Sequence, residues 1–373
     1  MIRVLLVGGG SGGHIYPLLA VAGEFAKMEG VSVHLSYIGP KSPFNREFLE
    51  RDVAVYRIAS SKIRRYFSLG NFIDIPKFFW SLIQALYRLY VLMPDVVFSK
   101  GGPGSLAVVI AARFYLIPVL VHESDAVPGL TNRISGKLAR RVAVSFPEAE
   151  KFFSKKKTAL TGNPIRRELL EGTLDRFHAK RKMNFDPERP LILVLGGSQG
   201  AEQLNEFVVG NLPSLLDFSQ ILHQTGIRNY ESVSTITRSI VGGQSSSPKY
   251  LAAPLFEGDR YKDALCAADI VISRSGSVIA EIAAFGKPSI LVPLETSAND
   301  HQRANAYGYA ATGAAEVFEG KNFTYNVVVL KIKEILEDKE LYARMSDAAK
   351  RFSRPDAARV VADEVVKLSV LGR

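Results

Sequence analysis

Brief, mostly apolar runs alternate with longer amphipathic stretches along the chain. Residues 3–7, 32–37, 96–99 and 119–122 read as buried strands, and Pro17 to Met28 as a helix. Strands separated by helices imply a parallel sheet covered by helices. From Thr161 the pattern restarts: residues 191–195 form a strand that runs through Gly196-Gly197-Ser198-Gln199-Gly200 into a helix near Ala201, with further strands at 270–273 and 289–292. The prediction is an α/β fold of two Rossmann-like, doubly wound halves, each opened by a glycine-rich loop. At 373 residues the chain exceeds the size at which one core usually stops growing. The Asn163-Pro164 turn signal puts the boundary between domains 1–163 and 164–353. Helical spacing of Val360, Val361, Val365, Val366 and Leu368 predicts a C-terminal helix, within 354–373, that packs back on the first domain.

Composition narrows the function. Hydrophobic residues make up 47% of the chain, which suits a globular protein, and no apolar run is long enough to cross a bilayer. The N-terminal run is too short for a signal-peptide core, so a cytoplasmic protein is expected. Cys266, the single cysteine, cannot form an internal disulfide, and without a Cys/His cluster no structural zinc is expected. It reads as a buried core thiol. The net charge of +10 suits an anionic partner, whether nucleic acid, anionic lipid or nucleotide phosphate. Nucleic acid is not expected, because no basic tail, zinc-finger spacing or RNP-like motif is present.

A glycine-rich turn between strand and helix lets the backbone approach a ligand, and the helix N-terminus behind it favours negative charge. Gly8-x-Gly10-x-x-Gly13 has the dinucleotide spacing, but the next strand, Val33 to Gly39, ends without the acid that would hold a ribose. A tight turn without a ligand fits the same residues, and a capping role fits His14. Two anion-competent loops, at Gly8–Gly13 and Leu195–Asn205, suit a nucleotide-sugar transferase better than a dehydrogenase.

The stretches GGGSGGHIYP, HESDAVPGLTNR, TGNPIRREL, LGGSQGAEQLN, HQTG, SRSGSVIAEIAAFGKPSILVP and DHQRANA occur in that order. Together they resemble the bacterial UDP-N-acetylglucosamine transferases that convert lipid I to lipid II in peptidoglycan synthesis. The resemblance implies a GT-B fold, two domains with a cleft between them, the donor held mainly by the C-terminal domain and the lipid-linked acceptor by the N-terminal one. Glu281 is then expected to bind the ribose hydroxyls, since a carboxylate accepts from two vicinal hydroxyls at once. Arg166 and Ser198 are expected at the diphosphate, His301, Gln302 and Asn305 at the sugar, and backbone near Phe256 at the uracil edge. Ser11, Gly12 and Gly13 join the donor contacts, whereas Gly10, Gly102, Ser105 and Asn132 surround the acceptor diphosphate. Asn205 and Arg274 are expected to support the site without touching substrate.

The same resemblance implies an inverting transfer of GlcNAc to the C4 hydroxyl of lipid-linked MurNAc-pentapeptide. No Asp-x-Asp motif occurs in the chain, so stabilising the leaving UDP falls to Arg166, loop amides and a helix dipole, with no obligatory cofactor or metal. His14 is a candidate either for deprotonating the acceptor or for steadying charge beside its diphosphate. Asp125 is a second candidate base; a local turn ahead of Pro128-Gly129 is the structural alternative for it.

This chain departs from the family at several places. Pro103 follows Gly101-Gly102 where the family has an aromatic residue, and His122-Glu123-Ser124-Asp125 replaces the usual His-Glu-Gln-Asn. Ser11 stands for a threonine, and the loop from Arg274 to Glu281 is one residue short. These changes leave open a related transferase with a different lipid acceptor, or a weakly active nucleotide-sugar-binding protein. Between Lys62 and Met93, Lys62, Arg64, Arg65, Lys77 and Arg88 are interleaved with Phe72, Ile75, Phe79, Trp80 and Leu82. That mixture predicts peripheral attachment to the anionic cytoplasmic face of the cell membrane, where the polyprenyl acceptor and other cell-wall proteins would be met. Lys137, Arg140 and Arg141 extend the predicted surface.

Overall fold

The computed structural model describes residues 1–59, 70–197, 199–242, 250–294 and 300–371, with side chains for all of these except 70–73 and 371. The chain divides into two units, residues 1–167 with 354–373, and residues 168–353. The first unit therefore runs past the Asn163-Pro164 turn and includes Arg166, which the sequence assigned to the second domain.

Seven parallel strands build the first unit: β1 Ile2–Val7, β2 Val33–Gly39, β3 Ala54–Arg57, β4 Val96–Ser99, β5 Val119–Glu123, β6 Arg141–Val144 and β7 Thr158–Leu160. Their order is β3-β2-β1-β4-β5-β6-β7. Side chains alternate across a strand, so an all-apolar strand needs a core on each face. β1 meets this requirement: Val4 and Leu6 enter one cluster with the Gly12–Phe25 helix, and Leu5 and Val7 enter another with the Ser105–Phe114 and Gly70–Leu92 helices. Val361, Ala362, Val365 and Leu368 of the Ala357–Leu371 helix complete the first cluster. The C-terminal helix thus belongs to the N-terminal sheet.

The first helix begins at Gly12, earlier than the sequence pattern placed it. Ser11 is its extended N-cap residue, and the amides of His14 and Ile15 donate to the Ser11 carbonyl at 3.0 and 3.1 Å. Pro17 lies inside the helix, where it forgoes one backbone bond but keeps a helical φ.

The second unit repeats the plan with β8 Leu191–Leu195, β9 Gln220–Gln224, β10 Tyr250–Ala253, β11 Ile270–Ser273, β12 Ser289–Leu291 and β13 Ala315–Val317, all parallel, in the order β10-β9-β8-β11-β12-β13. Ile192 and Val194 of β8 pack with Leu204, Phe207 and Val208 of the Glu202–Gly210 helix and with the Tyr325–Glu337 helix. Cys266 is buried, as its sequence context implied. In each sheet the chain winds one way from the central strand and then returns to build the other side. The reversal falls between β1 and β4 and between β8 and β11. Open α/β sheets bind ligands outside the carboxyl ends of such strands, and both glycine-rich loops lie there.

Candidate functional site

At the first switch point the loops after β1 and β4 press together. A Cβ on Gly102, whose φ is +90°, would lie 2.8 Å from Gly9 Cα and 3.1 Å from His14 Nε2. Only glycine allows this approach. His14, half-buried in the first turn of its helix, is held through Nδ1 by Ser11 Oγ at 2.7 Å. Ser11 therefore orients the histidine, a role that the sequence assignment to donor binding did not include. Ser42 Oγ donates to the Gly10 carbonyl at 2.6 Å and fixes the outer edge of the loop.

Two residues placed by the sequence at the acceptor diphosphate face inward instead. Ser105 is 1% exposed, and its hydroxyl donates to the Gly102 carbonyl at 2.8 Å. Asn132 is also buried; its amide donates to Glu123 Oε2 at 2.9 Å and to the His122 carbonyl at 3.3 Å, while its side chain fills the space beside Gly101. Both shape the loop from beneath. Asp125 is half-buried, and its backbone N–H donates to Glu123 Oε1 at 2.9 Å, so the turn here is held by the Glu123 carboxylate.

Under these loops lies a buried ionisable cluster that the sequence reading did not single out. Lys100 Nζ sits 2.8 Å from His122 Nδ1, and His122 Nε2 sits 2.9 Å from the Gly162 carbonyl. A carbonyl only accepts, so Nε2 carries the proton and Nδ1 accepts from the ammonium. Burial, and next the Lys100 charge, hold His122 well below the usual histidine range, which keeps it neutral. Burial, reinforced by the Asp125 charge, pushes Glu123 up to about 7. Burial brings Lys100 down to about 8, opposed by Glu123 and Asp125. The available signal was positional: Lys100 directly follows buried β4, and Glu123 ends buried β5.

Arg166 lies at the end of the first unit with its guanidinium over the Tyr16 ring at 4.1 Å, and Tyr16 in turn meets Phe44 edge-on. Its Nε is buried without a hydrogen-bond partner among the described residues.

The second switch point has few charges. The β8 loop at Gly200 is pressed against the β9 loop at Gly226, whose φ is +85° and whose added Cβ would run into the Gly200 backbone. Behind them, Asn205 donates to the Thr225 carbonyl at 3.1 Å and meets His223 Nε2 at 3.0 Å, while His223 Nδ1 meets the Tyr250 hydroxyl. Burial takes His223 down to about 3, so this chain of contacts is neutral. Glu281 stands half-buried in the first turn of the Val278–Ala284 helix that follows β11. Asn305 is 1% exposed and braces the Ser275 carbonyl at 3.0 Å, so it shapes the loop where the sequence had it on the sugar. Gln302 is half-buried: its backbone carbonyl accepts from Ser275 Oγ at 2.6 Å and its Oε1 from the Leu294 N–H at 3.0 Å. His301, also half-buried, opens the same helix. The Phe256 N–H donates to Gln224 Oε1 at 2.9 Å, which removes that donor from the proposed uracil contact. Ser198 lies outside the described residues, and Gly12 and Gly13 contribute the first turn of the Gly12–Phe25 helix.

The predicted membrane face is borne on the Gly70–Leu92 helix. Ser81, Ala85 and Leu89 are buried at helical spacing, and Phe78, Leu82 and Leu86 pack against the core beside them. Leu82 is therefore an inward residue. Ile75, Phe79, Trp80, Ile83, Tyr87 and Tyr90 are each more than half exposed. Lys62, Arg64 and Arg65 lie outside the described residues, as does the side chain of Phe72. Arg141 is paired with Glu364 of the C-terminal helix at 3.1 Å, so it is engaged within the fold; Lys137 and Arg140 line a cavity with Arg113 at the opposite end of the sheet from the glycine loops.

Residues 4–144 match the glycosyltransferase family 28 N-terminal domain, and residues 191–361 match the family 28 C-terminal domain. The chain belongs to glycosyltransferase family 28. This family 28 protein is 36% identical over 352 residues to the UDP-N-acetylglucosamine–N-acetylmuramyl-(pentapeptide) pyrophosphoryl-undecaprenol N-acetylglucosamine transferase of Clostridium kluyveri, an alignment covering 94% of this chain and 95% of the relative. It is 35% identical over 364 residues to the enzyme of the same name, numbered 2, of Bacillus anthracis, covering 97% and 98%. Among solved structures it resembles Acinetobacter baumannii MurG, with a TM-score of 0.73 and 26% identity, covering 98% of this chain and all of that one. These matches agree with the GT-B class expected from the motifs.

Proposed function

We propose that this protein transfers N-acetylglucosamine from UDP-N-acetylglucosamine to the C4 hydroxyl of a polyprenyl-diphosphate-linked muramoyl pentapeptide, the lipid I to lipid II step of peptidoglycan synthesis. The observation that carries the reading is the pair of family 28 matches, one on each sheet, together with near full-length relatives named for this transfer. No observation favours a different acceptor or a binding-only protein.

In the proposed reaction the acceptor oxygen bonds to C1 of the donor sugar as the C1–O bond to UDP breaks on the opposite face, so the anomeric centre inverts. UDP leaves with the bonding electrons, and the hydroxyl proton passes to a base. His14 fits that role better than Asp125. In the tautomer whose Nδ1–H donates to Ser11 Oγ, the basic Nε2 lies against the Gly102 loop. Glu281 accepts from the ribose hydroxyls, and Gln302 with His301 meets the sugar. Arg166, whose guanidinium lies over the Tyr16 ring, is suited to neutralising diphosphate charge. Among the described residues no group of three or more His, Cys, Asp and Glu forms a metal-binding cluster.

For localisation, no helix among the described residues is long and apolar enough to cross a membrane. The exposed apolar face around Phe79 and Trp80 supports peripheral attachment to an anionic cytoplasmic leaflet. UDP release from UDP-N-acetylglucosamine, with and without a lipid I analogue, tests the activity. Release that requires the analogue supports it; donor turnover indifferent to the analogue contradicts it.

A further inference from the structure

The donor-side carboxylate is held by a residue outside the sequence motifs. Tyr261, in the Gly258–Ala267 helix, donates its hydroxyl hydrogen bond to Glu281 Oε2 at 2.6 Å. The tyrosine ring is 8% exposed and packed in the core, and the side chain reaches across from the crossover that precedes β11 to the helix that follows it. A buried phenol needs a hydrogen-bond partner, and an O–H to carboxylate bond of this length is of the strong, charge-assisted kind. Its geometric effect is specific. With Oε2 held, the Glu281 side chain is restrained before any ligand arrives.

We propose that Tyr261 is a positioning residue for nucleoside recognition: by holding Glu281 Oε2 it aims the carboxylate at the vicinal ribose hydroxyls of the donor, and so sets preference for a ribonucleoside over a deoxyribonucleoside diphosphate sugar. This rests on the reading of Glu281 as the ribose ligand. The order imposed in advance lowers the entropy lost on binding, so the benefit appears in donor affinity rather than in the chemical step.

The test compares UDP-N-acetylglucosamine with its 2′-deoxyuridine analogue as donors for the wild type, Tyr261→Phe and Glu281→Gln. Tyr261→Phe keeps the buried ring and removes only the hydroxyl. The expected result is a KM for the natural donor raised on the order of ten-fold, kcat within about two-fold, and a smaller penalty for the deoxy donor than the wild type shows. A structural pin alone would weaken both donors equally and leave the ratio between them unchanged, and that result overturns the proposal. If Glu281→Gln removes the deoxy penalty while Tyr261→Phe leaves it intact, the proposal falls and the ribose reading stands. If Glu281→Gln also leaves it intact, both fall.

Discussion

The two switch points share a topology and differ in their chemistry. Each places a glycine-rich loop at the carboxyl end of a central strand, and in each a second loop packs so closely on the first that a glycine is required: Gly102 against Gly9 in one unit, Gly226 against Gly200 in the other. Beneath the first pair lies a charged cluster of Lys100, His122, Glu123 and Asp125, in which burial moves two groups close to neutrality. Beneath the second lies the neutral chain of Asn205, His223 and Tyr250, with Glu281 as the carboxylate of its half-buried rim. One scaffold has thus been furnished twice, with buried charge on one sheet and a neutral hydrogen-bonded chain on the other; the proposed function gives proton handling to the first and recognition of hydroxyls to the second.

The sharpest way to break this comparison is through the glycines. Gly102→Ala and Gly226→Ala each introduce a Cβ at positive φ into a backbone contact, which costs roughly 2–4 kcal/mol of local stability. Gly102→Ala is expected to eliminate acceptor-dependent turnover while UDP binding survives; Gly226→Ala is expected to weaken UDP binding first. Isothermal titration with UDP beside a turnover assay separates them. Next in size, Glu281→Gln is expected to raise the donor KM by about 10- to 100-fold, the worth of a hydrogen bond to a charged acceptor, with kcat little changed.

Outside both sites, the double variant Phe79→Ser with Trp80→Ser is expected to weaken binding to anionic vesicles by about 10²- to 10⁴-fold, given roughly 1.5–3 kcal/mol for each of the two large apolar side chains buried. Flotation measures it, and binding unchanged by the substitution would remove this face from the interface. The smallest effect concerns pH. Glu123 is raised above its ordinary value, so the stability it lends is present at low pH and is lost as pH rises from the carboxylate range through about 7. Lys100 is depressed, so its contribution is present above the ordinary lysine value and is lost as pH falls through about 8. Asp125→Asn removes a charge that raises Glu123 and is expected to shift the Glu123 transition to lower pH. Lys100→Met removes one that lowers it and shifts the transition upward. Urea midpoints from pH 5 to pH 9, taken as differences from the wild type, report the direction.

Much of the fold was legible because the central strands are apolar on both faces: β1, β4, β8 and β11 are nearly continuous hydrophobic runs. The strands that escaped were polar or short. β9, Gln220–Gln224, is wholly buried yet carries two glutamines and a histidine that find partners only in the folded chain. β13 has just three residues. At the sites, motif spacing located the loops, but whether a side chain faces ligand or core depends on packing. Ser105, Asn132 and Asn305 lie on helices beside the expected loops and turn inward to hold them. Tyr261 and Lys100 were missed for the complementary reason, since each is bonded to a partner distant in sequence.

The division of labour is tested most directly by His14→Ala, with calorimetric binding of UDP-N-acetylglucosamine measured beside acceptor-dependent UDP release. The predicted result is donor affinity within about two-fold of the wild type and release slowed by about 10²- to 10⁴-fold, the range for losing a general base. Unchanged release, or donor affinity lost together with it, would contradict the assignment of proton handling to the first unit and donor recognition to the second.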